Sequence, residues 1–209
     1  FDLNNKSRIA VSTITSNENE SMMETTAGTQ GAAMAYTFNL SDNTRISFSS
    51  SFLDEKNTLL GAYSGGALDL GSSATSVSFG AGLNMNFPHG WTLGFDAAYA
   101  RTSPDGSPNS LISDVSYLTS RSYTIGLANR NLTGIGDALG VSVNKPLRVS
   151  GGTVSLSVPV GSDDMGAPVV EHYRLGLTPD GSETDVNFIY NRPLADGMTG
   201  GLSLAYRND

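Results

Sequence analysis

From residue 76 to residue 99 apolar and small polar positions alternate. Val77, Phe79, Ala81, Leu83, Met85 and Phe87 are separated only by Ser, Gly and Asn. After Pro88, His89 and Gly90 the pattern resumes with Trp91, Leu93, Phe95, Ala97 and Tyr99, separated by Thr92, Gly94, Asp96 and Ala98. Successive strand side chains point to opposite faces, so this stretch predicts a hairpin with one oily face and one small, polar face. Each arm has the length, about 9–11 residues, that a tilted strand needs to cross a bilayer.

The same alternation recurs along the chain. It predicts strands over 7–15, 31–40, 44–52, 119–129, 137–144, 153–160, 170–178, 184–192 and 201–207. Polar stretches at 17–30, 53–73, 101–117 and 161–169 read as loops, and Ser41-Asp42-Asn43 and Pro179-Asp180-Gly181 as tight turns. Pro146 marks 145–149 as a bend or an interrupted strand. Roughly ten to twelve strands and no helix follow. The expected fold is all-β, an antiparallel up-and-down barrel spanning a membrane, with a soluble β-sandwich as the alternative.

Composition sharpens that choice. Charged residues are only 15% of the 209, and the positions between apolar residues are Gly, Ser, Ala, Thr and Asn rather than Lys and Glu. A water-facing sheet normally carries long charged side chains, whereas a narrow lumen admits small ones. Phe79, Leu83, Phe87, Trp91, Phe95 and Tyr99 are therefore expected to face lipid. On the opposite parity Arg45, Asp96, His172, Arg174, Asp185 and Arg207 are expected to face the lumen, because a basic residue costs about 2–4 kcal/mol at the bilayer midplane. A net charge of −8 and the lack of a basic stripe exclude nucleic acid as an expected partner. With no cysteine there is no disulfide framework or thiolate metal site.

Four segments carry a resemblance: TLLGAYSGGALDLG at 58–71, FPHGWTLG at 87–94, PLRVSGGTVSLSVPV at 146–160, and LTPDGSETDVNFIYNRPL at 177–194 with LSLAYRND at 202–209. Together they resemble the C-terminal β-domain of autotransporter-type subtilisin-like serine peptidases of Gram-negative bacteria. The resemblance covers about residues 55–209. It implies that the chain, a single β-domain over 1–209, is the C-terminal fragment of a longer protein. A protease passenger would precede it, with outer-membrane lipid and the barrel-assembly machinery as partners. The expected location is the outer membrane, or, for the sandwich alternative, the secreted fluid or cell surface. The family's terminal aromatic is absent: the sequence stops at Tyr206-Arg207-Asn208-Asp209.

Catalysis finds little support in the residues. His89 and His172 are the two histidines; the first sits in a turn and the second on the polar parity of a strand. No G-x-S-x-G, H-E-x-x-H or phosphate-cradling motif occurs. Asp163 and Asp164 read as an exposed acidic loop rather than a calcium site, which needs about six or more oxygens. The chain is expected to have no catalytic, cofactor or metal residues, and its work to be physical.

Overall fold

The structure, a computed structural model, describes residues 2–4, 6–19, 26–56, 59, 68–69, 73–106, 110–195 and 197–208. Most of the segment 58–71 lies outside them, including Gly65 and Gly66. The described residues are all-β, with thirteen strands against the ten to twelve expected and no α-helix.

Nine strands make one continuous meander. They are β2 (Ser7–Asn19), β3 (Thr26–Ser41), β4 (Thr44–Lys56), β5 (Ser73–Asn86), β6 (Trp91–Asp105), β8 (Leu118–Asn129), β9 (Ala138–Gly151), β12 (Thr184–Ala195) and β13 (Met198–Asn208). The short β1 (Asp2–Asn4) is added at the β2 edge, and every neighbour in this ten-stranded sheet is antiparallel. No ladder joins β13 back to β1 or β2 among the described residues. The expected closed ring is thus not observed, while the antiparallel up-and-down order is.

The strands run beyond the expected limits because their polar ends still pair. Residues 17–19 and 26–30, read as loop, are the paired ends of β2 and β3. Likewise β4 continues to Lys56 and β6 to Asp105. Pro146 lies inside β9, where the ladder to β12 has already ended at Asn144. Its missing N–H therefore costs no bond on that side, and the ladder to β8 absorbs it with a register shift between Arg121 and Tyr123.

A second, three-stranded sheet has the order β11-β10-β7, made by β7 (Ile112–Val115), β10 (Thr153–Ser162) and β11 (Pro168–Gly176). β7 is therefore a strand where loop is expected, and β10 and β11, expected in the barrel, belong to this separate sheet instead. The departure point is Gly152, whose φ of 147° favours glycine and where a Cβ would lie 2.5 Å from Leu118 Cδ2. The buried core is small and sits at this end of the main sheet. Leu59, Ala74 and Leu118 cluster with Val115 and Leu177, and Ile112 and Val154 are buried nearby.

Candidate functional site

The ladders turn the alternation of single strands into faces. One row runs Ile46, Leu83, Phe95, Ile125, Val143, Val186 and Tyr206 from β4 to β13. The next runs Met85, Leu93, Leu127, Val141, Phe188 and Leu204. Phe79, Leu83, Phe95 and Tyr99 share this face, and Phe87 and Trp91 stand at its turn end, where Phe87 N–H donates to Trp91 O at 2.8 Å. The face is uncovered: Phe79 is 59% exposed, Phe95 42%, Leu204 57% and Tyr206 64%. In its centre Ala81 and Ala97 floor a shallow basin of about 730 Å³ rimmed by Phe48, Phe79, Phe95, Tyr99 and Tyr123.

The opposite face is lined by small residues. Ser47, Ser49, Gly80, Gly82, Asp96, Ala98, Ser122 and Thr124 surround a hollow of about 200 Å³. A Cβ on Gly82 would lie 2.5 Å from Ser47 Oγ and 2.6 Å from Asp96 Oδ1, so a side chain there would have to displace both groups. A polar row crosses the whole sheet here. It passes from Arg8 through Thr37, Ser47, Gly82, Asp96, Thr124, Asn144 and Asp185 to Arg207. Thr124 Oγ1 donates to Asn144 Oδ1 at 2.7 Å, and Arg207 Nε lies 2.8 Å from both Asp185 Oδ1 and Glu183 Oε1. Arg45 lies one row away, donating from Nε to Asn39 Oδ1 at 3.1 Å. Toward the loop end Ser76 and Thr102 join hydroxyls at 2.7 Å, and Thr102 is almost fully buried.

Four of the six charged candidates therefore share this face: Arg45, Asp96, Asp185 and Arg207. His172 and Arg174 do not. They lie on β11, in the smaller sheet rather than in this row. His172 Nδ1 meets Ser157 Oγ at 2.9 Å across β10–β11, and Arg174 donates to Thr153 Oγ1. No carboxylate orients the other ring nitrogen of His172 among the described hydrogen bonds, so the Ser–His contact lacks the third group that activates a nucleophile. His89 occupies the left-handed region, φ 62°, at the tip of the 3-10 turn Pro88–Gly90.

Two polar anchors were not anticipated. Buried Asn129 donates from Nδ2 to His89 O at 2.9 Å and accepts from Asn131 N–H at 2.8 Å, locking two neighbouring turns together. Buried Asp137 accepts from Thr133 N–H at 2.9 Å and from Tyr190 O–H at 3.1 Å. The Thr133 backbone bond, the largest influence, outweighs burial and holds the Asp137 carboxyl below its ordinary pKa. Asp163 plays a similar local part, accepting from the Met165 and Ala167 N–H groups. No cluster of three metal-ligating side chains exists among the described residues.

A basic group on the apolar parity also escaped the sequence reading. Arg121 is opposite Tyr99 on one side and Arg148 on the other, and Lys145 is opposite Tyr123. Arg101, two positions beyond Tyr99, stacks its guanidinium 3.7 Å from the Tyr117 ring centroid. Arg148 donates to the carbonyls of Pro179 and Gly181. The signal was present in the odd numbering that Arg101, Arg121 and Lys145 share with Tyr99, Tyr123 and Val143.

No family model, curated protein or solved structure matches this chain.

Proposed function

We propose that this chain is a membrane-spanning antiparallel β-domain that serves as the translocator and outer-membrane anchor of an autotransported subtilisin-like protease. The observation that carries the spanning part is the uncovered apolar face, continuous in register across seven strands from β4 to β13. Soluble proteins rarely leave so large an apolar surface in water, whereas lipid demands it. Dimensions support the same reading. Ten residues separate Trp91 from Arg101 on β6; at about 3.3 Å each and a tilt of about 40° they rise about 25 Å, the height of a barrel's apolar band. The band then has Phe87 and Trp91 at one rim and basic residues at the other.

The physical work follows from the two faces. Strand ladders satisfy the backbone groups that hydrocarbon cannot, and closure between the two edge strands, β1 and β13, would complete that satisfaction. The small-residue face supplies a polar path with little side-chain obstruction, and paired charges such as Arg207 and Asp185 line it. Bond-making chemistry belongs to the preceding passenger, not to this chain. The passenger itself rests on the four resembling segments.

The open edges favour one other reading: a secreted β-domain that assists folding or surface attachment of the protease. Folding separates the two. On the spanning reading the purified chain folds only in detergent or lipid vesicles, and it resists added protease once inserted. A monomer folded in plain buffer would establish the secreted reading instead.

A further inference from the structure

Resting on that spanning reading, we propose that Arg121, Arg101 and Lys145 form a site for the headgroup of an anionic phospholipid whose acyl chain lies in the aromatic basin. Arg121 lines the basin itself. Directly opposite it stands another cation, Arg148, and diagonal to it on the same face stand Arg101 and Lys145. Like charges directly opposite each other on a sheet repel. Neither Arg121 nor Lys145 has a carboxylate partner among the described residues. Arg148 is tied to the turn carbonyls flanking Asp180, and Arg101 to the Tyr117 ring. This leaves the N–H edges of Arg121 and the Lys145 ammonium turned toward the lipid side without an anion. A phosphate placed among them removes the repulsion and accepts charge-assisted hydrogen bonds, for which the forked guanidinium is well suited.

Position favours a lipid over a free anion. The cluster stands at the rim of the apolar band, where a basic residue costs only about 0–1 kcal/mol and where headgroups lie. Directly below, Ala81 and Ala97 leave an apolar hollow between rings, shaped for a chain rather than for water.

The test uses the whole chain folded into vesicles of phosphatidylcholine mixed with phosphatidylglycerol, extracted gently, with retained lipid identified by native mass spectrometry. Phosphatidylglycerol is expected to be enriched over phosphatidylcholine. Arg121→Gln and Lys145→Gln should each lower that enrichment about fivefold, and added salt should lower it too. Arg121→Lys should keep most of it, and Arg174→Gln, on the separate sheet, all of it. Inorganic phosphate should fail to displace the lipid. Equal retention of both lipids, undiminished enrichment in the Gln variants, or full displacement by inorganic phosphate would overturn the site. Entry into vesicles without enrichment overturns this site alone; failure to enter any vesicle overturns the spanning reading with it.

Discussion

Ala97→Arg is the most discriminating single substitution. Ala97 floors the apolar basin on β6, six residues from Trp91 and four from Arg101, which puts it close to the middle of the band. The change removes no existing contact group; it extends the Cβ by an alkyl stem that carries a charge. In lipid an arginine at that depth costs about 2–4 kcal/mol, and stacking on Phe48 or Tyr123 would return about 0.5–1 kcal/mol at most. The folding equilibrium should fall by at least about fivefold and by as much as several hundredfold. If the face were in water, the long side chain could extend into solvent from half-buried Ala97, and the change would stay within about ±0.5 kcal/mol. Ser103→Arg is the control, because it lies on the same face and strand but beyond the rim, where the expected cost is about 0–1 kcal/mol. Urea titration of the chain folded in vesicles, followed by the fluorescence of the single Trp91, measures both. Equal stability of the two variants would refute the reasoning.

Other substitutions test the opposite face and the turn anchors. Gly82→Val should destabilise by about 1–3 kcal/mol through overpacking against Ser47 and Asp96, while Gly140→Ala, which meets nothing within 4 Å, should be neutral in the same titration. Arg207→Ala should cost about 1 kcal/mol or less, since the arginine is 65% exposed in its pairs with Glu183 and Asp185. Asp137 introduces a pH dependence with a definite sign. Its folded carboxyl titrates below the unfolded value of about 3.9, so its stabilisation is complete well above that value and is lost as pH falls through the lower folded value. The urea midpoint should therefore drop between pH 5 and pH 3, and Asp137→Asn should show a smaller drop from a lower starting point.

Parity was the legible part of the sequence, and neighbour relations were not. The β5–β6 hairpin and its Pro88–Gly90 turn could be read because each apolar residue is followed by a small one. From that alternation came the apolar face and four of the charged residues on the other side. The same alternation in Val154, Leu156, Val158 and Val160 misled, because period two assigns faces without saying which sheet a strand joins. Gly152 redirects β10 into the smaller sheet, and that diversion accounts for the 161–169 connection, which fits no alternation of long loops and tight turns within a single meander. Polar strand ends such as Thr26–Gln30 and Arg101–Asp105 looked like loop because pairing, not hydrophobicity, extends them. β7 holds four residues, Ile112–Val115, too few for a periodicity to register. Arg121 and Arg148 meet only through a register shift in the β8–β9 ladder, which no sequence spacing reveals.

The most direct measurement exploits the absence of native cysteine. Single cysteines placed in turn at residues 93 to 98 and 122 to 127, each labelled with an environment-sensitive fluorophore after folding into vesicles, report which face meets lipid. Blue-shifted emission, quenched by lipid-borne nitroxide, is expected at 93, 95, 97, 123, 125 and 127, and water-like emission at the even positions. Uniform water-like emission at both parities, or nitroxide quenching without alternation, would contradict the spanning reading.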